Sequence, residues 1–521
     1  MTGATRQAVV IGAGIGGLSA AMRLAHAGLS VTVLDMAAGP GGKMRTRDSV
    51  AGPVDIGPTV MTLKGMFETL FADVGARLSD HVTLIPDEIL ARHHWRDGST
   101  LDLFHDPERS AAALRDFGGA RAETQFRRFS DRARRLFEAF EGPVMLAQKP
   151  SLPALTAHVL KNPALIPAMA PGRSLAASLS SQFTDPRLRQ LFGRYATYVG
   201  GSPYLSPAVL GLIWHSEASG VWRVEGGMHR LAQAMQRLAQ DKGARFRFNA
   251  RAARIEQQDG QVCAVHLEDG TRIPADLIVF NGDPKALVDG HLGQGPAAAV
   301  PRNGVEARSL SAFVWGFAAT PAGVELAHHN VFFCTDPKRE FDDLAAGRMP
   351  ADGTLYVCAQ DRGGDAPQGP ERFEIILNGP PGHPSTPEDA YRCRTHTFET
   401  LARMGLRFSP TPDITALTMP GDFDRAFPAS DGSLYGLSPH GMMATFQRPT
   451  ARTTLRGLYL AGGGAHPGAG IPMACLSGQH AAAAILSDLA STSTSRRTAT
   501  PGGMSTGSAT MASARSPSSA S

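Results

Sequence analysis

Cysteine is scarce in this sequence, and the few cysteines are widely separated. There are 5 among 521 residues, and no two of them form a Cys-x-x-Cys pair. Disulfide frameworks and structural zinc sites are recognised by regularly spaced cysteines. The sequence therefore predicts neither kind of site, no bound metal, and a reducing compartment such as the cytoplasm. The five residues are Cys263, Cys334, Cys358, Cys393 and Cys475.

The sequence also lacks a large excess of either charge. Lysine and arginine together number 51 and aspartate and glutamate 47, which gives a net charge of +4. Three of the arginines lie in 491–521, which holds no acidic residue, so the rest of the chain carries +1 (48 basic against 47 acidic residues). Nucleic-acid-binding domains present a clustered basic surface. We expect no nucleic-acid partner for this near-neutral body.

Apolar runs suited to crossing a membrane are missing as well. A spanning helix needs about 20 consecutive apolar residues without helix breakers. Two uncharged stretches reach that length, but 195–214 contains Gly200, Pro203 and Pro207, and 457–486 contains seven glycines and two prolines. We therefore predict no membrane-spanning segment.

The opening of the chain combines a strand, a glycine turn and a helix. Residues 9–11 are β-branched, GAGIGG follows at 12–17, and 18–27 is rich in alanine and leucine. A second strand at 31–34 leads into an aspartate. In the dinucleotide-binding arrangement, the glycines admit a pyrophosphate at the helix N-terminus and the acid accepts ribose hydroxyls. The residues assigned to a nucleotide cofactor here are Gly12, Ala13, Gly14, Gly16, Gly17 and Asp35.

Two segments soon after the aspartate suit the same ligand. PGGKMR at 40–45 is a second glycine turn with two basic side chains, and DIGPTV at 55–60 is a compact turn. Glycine lets backbone approach a ligand closely, and a cationic side chain can meet its phosphates. A polar surface loop is an equally good interpretation of 40–45 alone. The residues assigned to the cofactor here are Gly42, Lys43, Arg45, Pro58 and Thr59.

A glycine-rich loop near the C-terminus precedes another predicted helix. Residues 458–472 read LYLAGGGAHPGAGIP, and the helix extends to about Leu486. Glycines are required where backbone lies against a flat ring, and proline suits a first helical turn. A helix N-terminus aimed at that ring would stabilise negative charge developing on it. The residues assigned here are Gly463, Gly464, Gly470, Ile471, Pro472 and Met473.

Hydrophobic periodicity predicts mixed secondary structure between these motifs. The helix predicted over 121–141 has phenylalanines on one face and arginines on the other, which suits either an anionic membrane surface or a solvated face over a core. Residues 491–521 are rich in serine and threonine and are predicted to be disordered. The other predicted elements are a helix at 226–241, a hairpin at Asp259-Gly260, and strands at 245–249, 276–280, 310–318 and 373–378.

Taken together, these segments resemble the phytoene-desaturase-type carotenoid desaturases, a branch of the flavin amine oxidase superfamily. The resemblance rests on VVIGAGIGGLSAA, PGGKMRT, DIGPTVMT, YVGGSP, GVWRVEGGMHRLAQAM and LYLAGGGAHPGAGIPMACLSGQHAAAAI, in the family's order over nearly the whole chain. The last of these motifs is the most specific. The sequence departs from the family at Asp35, usually Glu, at Lys43, usually Arg, and at Ala465, where Thr is commoner.

The resemblance implies an α/β fold with a discontinuous Rossmann-like FAD-binding domain and a substrate domain of mixed sheet plus helices. The FAD domain is expected to comprise 1–85, 220–290 and 420–490. The substrate domain, which faces the membrane, is expected to comprise 86–219 and 291–419. FAD is the implied cofactor, a carotenoid the substrate, and a quinone or dioxygen the electron acceptor. We expect peripheral attachment to the inner or intracytoplasmic membrane; the oligomeric state stays open.

Within the family, the sequence looks most like enzymes that introduce the C-3,4 double bond into 1-hydroxycarotenoids, as from 1-hydroxyneurosporene to demethylspheroidene. A phytoene desaturase, another flavin oxidase of this fold and a non-redox isoprenoid carrier are the alternatives. With 4 Trp and 7 Tyr, an aromatic cage for amines cannot be placed. Because flavin supplies the redox chemistry, no catalytic residue is assigned. Asp185 and Arg189 are candidates for acid–base chemistry. The alternative interpretation is that they form a helix cap and a charge pair on the helix.

Overall fold

Five parallel strands from distant parts of the chain form one sheet in the structure, a computed structural model that describes residues 5–364 and 367–498. We call it the nucleotide sheet. All five strands lie within the three segments assigned to the FAD domain, whose boundaries stay a prediction. The strand order is Leu458–Leu460, Leu277–Phe280, Gln7–Ile11, Ser30–Leu34 and Arg245–Arg247.

Three long helices pack together beside the nucleotide sheet. They are Ile15–His26, His229–Asp241 and Ile471–Thr498, and Lys64–Asp73 packs against the last of them. The apolar face predicted within 226–241 is confirmed, because its six residues are all buried. These residues are Met228, Leu231, Ala232, Met235, Leu238 and Ala239.

A larger, mostly antiparallel sheet, which we call the large sheet, lies in 86–419. Its single parallel pairing joins His329–Phe332 to Ile89–His94. The strands predicted at 310–318 and 373–378 are confirmed and form its longest pair. In order, the strands are Leu406–Ser409, Ser311–Gly323, Glu371–Gly379, Leu355–Ala359, His329–Phe332, Ile89–His94 and Thr100–Phe104, with Leu417–Thr418 beside the second.

The arginine-rich helix is Pro107–Phe140, and its phenylalanine face is packed into protein. The phenylalanine face therefore packs on a core, and contact of the arginine face with a membrane stays a prediction. The arginines opposite are largely exposed, and Arg134 pairs with Asp131 and Glu138. The buried residues of the predicted face are Phe126, Phe129, Ala133, Leu136, Phe137 and Phe140.

Smaller elements connect the two sheets. The predicted hairpin at Asp259-Gly260 is confirmed, with both residues at positive φ between Ala252–Gln258 and Gln261–Leu267. The other short strands are Thr46–Arg47, Val54–Asp55, Leu84–Pro86, Trp222–Val224 and Arg272–Pro274.

The remaining helices are mostly short. Within the described residues, no helix is long and apolar enough to cross a membrane. The last helix ends at Thr498, so the prediction of disorder is wrong for 491–498, where the helix continues past the predicted end near Leu486. Residues 499–521 of the predicted tail lie outside the described residues. The others are Leu152–Lys161, Leu165–Met169, Leu175–Gln182, Pro186–Gly193, Ile213–Ala218, Lys285–Val288, Gln294–Ala297, Pro337–Ala345, Pro387–Arg403, Pro420–Ala426 and Ala444–Gln447.

The first and last helices approach each other through glycines. A Cβ atom at Gly478 would lie 2.0 Å from the carbonyl oxygen of Gly16. A Cβ at Gly16 would lie 2.7 Å from the backbone nitrogen of Gly462 and 2.8 Å from the carbonyl oxygen of Ala474. Because these neighbours are backbone atoms, no side-chain movement can relieve the contact. The helix pair therefore requires glycine at both positions.

This contact predicts a specific loss of stability. Gly478→Ala should lower the free energy of unfolding by about 1–3 kcal/mol, as overpacking of a tight interior does, measured by urea denaturation. Gly65→Ala is the matched control, because Gly65 is also helical but has no heavy atom near its Cβ position. That control should be neutral or stabilising, since alanine favours helix. Equal stability of the two variants would contradict the close helix contact.

Candidate active site

The first glycine turn, 12–17, is closed by backbone hydrogen bonds to the neighbouring strand. The N–H of Gly12 donates to the carbonyl of Leu34 at 2.7 Å, and Gly12 has a φ of +101°. A Cβ at Gly17 would lie 2.0 Å from the carbonyl oxygen of Gly12. The helix therefore begins directly against the end of the strand, as the nucleotide-binding pattern requires.

Asp35 stands at the end of the second strand and faces this turn. Its Oδ2 accepts a hydrogen bond from the N–H of Ala13 at 2.6 Å, and its Oδ1 accepts one from Ala37 at 2.8 Å. Burial raises the pKa of Asp35, and the two backbone donors oppose that shift. The carboxylate is thus held in place, and each oxygen keeps a lone pair for a ribose hydroxyl.

The second glycine turn lies in contact with the first. The N–H of Gly41 donates to the carbonyl of Ala13 at 2.9 Å. A Cβ at Gly42 would lie 3.1 Å from the Cα of Gly14. The two turns therefore form one small-residue surface, as expected for segments that share a ligand.

The two basic residues of this turn reach toward 423–434, a part of the predicted FAD domain in which no cofactor-binding residue was assigned from the sequence. Lys43 Nζ donates to the carbonyl of Leu434 at 2.5 Å. Burial, with Arg308 and Arg448 in support and Asp283 in opposition, lowers the pKa of Lys43 to about 8. The Arg45 guanidinium lies over the rings of Phe423 and Phe427, and its buried Nε has no hydrogen-bond partner. Phosphate contact by Lys43 and Arg45 stays a prediction.

The turn at 57–59 joins the cofactor segments to the large sheet. A Cβ at Gly57 would lie 1.9 Å from the carbonyl oxygen of Lys43. Pro58 is half-buried, and buried Thr59 places its Oγ1 2.9 Å from the Tyr356 hydroxyl. Its hydroxyl also donates to Glu374 Oε2 at 3.3 Å. Thr59 therefore contacts side chains of the large sheet.

The C-terminal glycine loop, 462–470, is followed by a helix that begins at Ile471, as predicted. Pro472 occupies its second position and Met473 is half-buried. Gly470 is exposed with a φ of +94°, and the nearest heavy atom to its Cβ position is Pro472 Cδ at 4.0 Å. Open space therefore lies in front of the helix N-terminus, where a flat ring is expected.

Asn281 binds the first glycine turn and was not assigned from the sequence. Its Nδ2 donates to the carbonyl of Gly12 at 3.0 Å. Its Oδ1 would be 2.7 Å from a Cβ at Gly16 or at Gly462, and it is buried without a hydrogen-bond partner in the part of the chain that the structure describes. Asn281 follows the strand Leu277–Phe280 directly. A polar residue at the carboxyl end of a parallel strand is the signal that would have identified it.

Arg448 was also missed, and it holds the C-terminal loop. Its Nη1 donates to the carbonyls of Gly463 at 2.5 Å and Tyr435 at 3.1 Å, and its Nη2 donates to that of Leu437 at 2.7 Å. Gly464 lies beside this contact, against Gly436. Burial lowers the pKa of Arg448 to about 10. No local sequence pattern distinguishes this arginine from a surface one.

Asp185 and Arg189 make local structural contacts. Asp185 caps the helix Pro186–Gly193 by accepting from the N–H of Arg187 at 2.8 Å, and it pairs with the Arg187 guanidinium. Arg189 instead donates to the carbonyls of Phe183 and Thr184. The predicted cap is confirmed, but the predicted Asp185–Arg189 pair is replaced by Asp185–Arg187. The reason is that Arg189 folds back over the preceding loop.

The side chains of His328, His329 and Cys358 bring three possible metal-ligand atoms within 4.8 Å of one another. Burial raises the pKa of the Cys358 thiol well above its usual value and lowers that of His328 to about 3. His328 Nδ1 donates to the carbonyl of Arg362 at 3.0 Å. In the structure as it stands, these three side chains form a neutral, buried cluster. The absence of a metal stays a prediction.

The assembled segments fit a dinucleotide with a flat ring. The helix Ile15–His26 begins at Gly14 with no side chain capping its N-terminus, which leaves backbone donors for an anion. The buried and unpartnered atoms Asn281 Oδ1 and Arg45 Nε offer further polar contacts. The open space at Gly470 lies in the C-terminal glycine loop, where the flat ring is expected. Glycine-lined contact surfaces and unpartnered polar atoms are features that a bound cofactor explains.

Comparison with known proteins identifies the family. Residues 15–315 match the family described as flavin containing amine oxidoreductase. The chain belongs to this family. Its fold is accordingly the α/β fold of the flavin amine oxidases, its cofactor is FAD, and it is an oxidoreductase.

Relatives within the flavin amine oxidoreductases include carotenoid enzymes. The hydroxyneurosporene desaturase of Cereibacter sphaeroides is 58% identical over 486 residues, which cover 93% of this chain and 98% of that protein. The lycopene-forming phytoene desaturase of a Paracoccus species is 30% identical over 502 residues, which cover 94% and 99%. The cyclohexylamine oxidase of Brevibacterium oxydans shares the fold with a TM-score of 0.56 at 17% identity, over 93% of this chain and all of that one.

The glycine turn yields a direct prediction about cofactor binding. Gly14→Val should abolish FAD binding, because a branched side chain at the helix start would occupy space that the diphosphate needs and would press on Asn281 Nδ2, 3.0 Å from the Cβ position. The measurement is the FAD-to-protein ratio after purification. Gly39→Val is the control, since Gly39 has no heavy atom within 4 Å of its Cβ position. Stoichiometric FAD in Gly14→Val would show that the diphosphate lies elsewhere.

Proposed function

We propose that this protein is a carotenoid desaturase that introduces the C-3,4 double bond into 1-hydroxycarotenoids, converting 1-hydroxyneurosporene to demethylspheroidene. The observation that carries the proposal is the 58% identity to a hydroxyneurosporene desaturase over nearly the full length of both chains. The identity to a lycopene-forming phytoene desaturase is 30%, which favours the hydroxycarotenoid over phytoene as substrate.

In this function, bound FAD supplies a two-electron acceptor that takes a hydride from a carbon beside the polyene. The turns at 12–17 and 40–43 would hold its diphosphate, and Asp35 its ribose. The C-terminal loop and the N-terminus of Ile471–Thr498 would lie at the ring, where helix N–H groups stabilise negative charge. The large sheet and its helices would align the polyene and exclude water.

The substrate assignment is tested by separate incubation with 1-hydroxyneurosporene, neurosporene and phytoene. The FAD-loaded protein is used with a quinone or dioxygen as acceptor, and product spectra are recorded. We expect one added double bond on 1-hydroxyneurosporene, and little conversion of the two hydrocarbons. Conversion of phytoene in preference to 1-hydroxyneurosporene would identify a phytoene desaturase instead. No conversion of any of the three would contradict the proposal.

The C-terminal loop predicts a phenotype that separates cofactor retention from catalysis. Gly470→Leu should displace the flavin ring and abolish desaturation while part of the FAD is retained through Gly12, Gly14 and Asp35. FAD content and turnover are measured on the same preparation. Gly75→Leu is the control, because Gly75 is also exposed, at φ +72°, with no heavy atom near its Cβ position. It imposes the same backbone strain away from the cofactor. Normal desaturation by Gly470→Leu would show that this loop does not lie against the flavin ring.

We also propose that the protein attaches peripherally to the cytoplasmic face of the inner or intracytoplasmic membrane, because a carotenoid must be taken from a bilayer. Leu152–Lys161 is a helix in which no residue is buried. Lys149, Lys161 and Arg173 are exposed around it and suit anionic lipid headgroups. Five large apolar side chains in this region are between 41% and 68% exposed: Leu146, Leu152, Leu160, Ile166 and Leu205.

This surface predicts the outcome of vesicle binding. The triple variant Leu152→Glu, Leu160→Glu and Ile166→Glu should lose most sedimentation with anionic liposomes, since each change replaces an apolar contact with a repelled charge. Val50→Glu is the control, because Val50 is 88% exposed but lies outside this region. Binding of the triple variant equal to that of the control would contradict attachment through 146–205.

A further inference from the structure

Polar side chains form a row across one face of the large sheet. His329 lies opposite Cys358, Cys358 opposite Glu374, and Glu374 opposite Gly316 in the strand register. Directly opposed residues project to the same face of a sheet. The turn at 54–59 covers that face, because a Cβ at Gly316 would lie 2.1 Å from Ile56 Cγ2. The row is therefore buried between the large sheet and a segment assigned to the cofactor.

Glu374 is the acidic member of this row, and it is completely buried. Its Oε2 accepts a hydrogen bond from the Thr59 hydroxyl at 3.3 Å. Its Oε1 is buried with no hydrogen-bond partner among the described residues. Burying a carboxyl oxygen without a hydrogen-bond partner is unfavourable unless the oxygen is protonated or contacts a ligand. Neither the fold nor the cofactor assignment so far uses this atom.

Glu374 lies close to residues of the predicted cofactor site. Thr59 comes from a turn assigned to FAD. Burial raises the pKa of Tyr435, and the nearby Glu374 carboxyl adds to that shift. The Tyr435 carbonyl is bound by the same Arg448 that holds Gly463. Glu374 therefore lies between the turn at 57–59 and the residues that hold the C-terminal loop.

Hydrogen-bonding groups lead away from Glu374 as far as His329, and Asp87 lies just beyond. Thr59 Oγ1 is 2.9 Å from the Tyr356 hydroxyl, which is 2.7 Å from His329 Nδ1. His329 Nε2 is 3.7 Å from Asp87 Oδ2, and neither atom has a hydrogen-bond partner among the described residues. Hydroxyls and a neutral imidazole can each donate and accept. A proton can therefore pass as far as His329 when each member reverses its hydrogen bond, and the last transfer needs His329 and Asp87 to close the 3.7 Å between them.

We propose that Glu374 accepts the proton released by desaturation and that Thr59, Tyr356 and His329 carry it to Asp87. This inference rests on the proposed function. One carbon of the CH–CH bond loses a hydride, with its electron pair, to the flavin. On the neighbouring carbon the C–H bond breaks, its electron pair becomes the new π bond, and the proton goes to Glu374 Oε1. Rotation of the carboxyl group then presents this proton to Thr59, which contacts Oε2 at rest.

A raised pKa at Glu374 favours uptake of the proton there, and release to water beyond Asp87 draws the proton onward. Burial, reinforced by Asp55, raises the pKa of Glu374 well above its usual value, which makes its carboxylate a stronger base. The other titratable groups facing it are Cys358, Tyr356 and Tyr435, all neutral. Burial also raises the pKa of Asp87 to about 6, and Arg223 opposes the shift. The side chain of Arg223 is partly exposed and pairs with Asp87 at 2.6 Å, so the exit lies near solvent.

The decisive variant is Glu374→Gln, tested as holoenzyme with 1-hydroxyneurosporene. We expect kcat to fall about 100-fold or more, the size of a lost general base, with FAD content and KM little changed. The wild-type rate should rise with pH, and that rise should be absent in the variant. Glu340→Gln is the matched control, because Glu340 is also buried in this part of the chain but hydrogen-bonded to Thr354 and Asn378. It should retain wild-type kcat.

If Glu374→Gln fails to fold, a second variant and a spectroscopic measurement still test the proposal. Tyr356→Phe removes only one hydroxyl from the relay and should lower kcat about tenfold or more while FAD stays bound. Infrared spectra of the wild-type holoenzyme should show a protonated-carboxyl band that titrates with pH. In Tyr356→Phe its titration should shift, and in Glu374→Gln the band should disappear.

The outcomes separate this inference from the proposed function. A wild type inactive on every carotenoid would overturn both. An active wild type together with a Glu374→Gln or Tyr356→Phe variant within about threefold of its kcat would overturn the proton pathway alone. A Glu374→Gln variant with unchanged kcat that no longer prefers 1-hydroxyneurosporene over neurosporene would show that Glu374 recognises the hydroxyl group. That result would also overturn the proton pathway.

Discussion

The backbone contact between the first and last helices is the constraint on which the rest of the structure depends. A Cβ at Gly16 would meet backbone atoms of Gly462 and Ala474 as well as Asn281 Oδ1, and one at Gly478 would meet the carbonyl oxygen of Gly16. Residues more than 440 positions apart are thereby held within van der Waals distance. Because the helix Ile15–His26 starts at the first glycine turn, the contact sets the position of the C-terminal loop relative to that turn.

Unusual burial of polar groups follows from this assembly. Lys43, Arg448 and Glu374 are withdrawn from water between the nucleotide sheet and the large sheet, and burial shifts the pKa of each toward its neutral form. Such desolvation is unfavourable for a free protein. It is useful where a cofactor and an apolar substrate must meet in a dry cavity, since electrostatic interactions are stronger there. Perturbed groups of this kind cluster at functional sites.

Local patterns in the sequence predicted much of the fold. The buried faces within 121–141 and 226–241, the hairpin at Asp259-Gly260 and the helix start at Ile471 all follow from periodicity and turn chemistry. These features depend on residues within a few positions of one another. The helix cap at Asp185 was predictable for the same reason, whereas the partner of its carboxylate depended on how the Arg189 side chain folds back.

Other parts of the candidate site could not be predicted, because they depend on which strands become neighbours. Arg448 reaches the C-terminal glycine loop only after the fold is set. Asn281 does follow a predicted strand, but its contact with the first glycine turn depends on that strand lying beside Gln7–Ile11. The row containing His329 and Glu374 exists only in the register of three strands. A single polar residue within a strand pattern does not show which residues will lie opposite it, and neither His329 nor Glu374 was assigned from the sequence.

The central claim is that the two ends of the chain build one FAD site against the large sheet. The most direct measurement is an experimental structure of the FAD-loaded protein. The account predicts the diphosphate at the N-terminus of Ile15–His26, a ribose on Asp35, and the ring between the start of Ile471–Thr498 and Thr59. A ring placed away from both the C-terminal loop and Thr59, or a diphosphate away from Gly14, would contradict it.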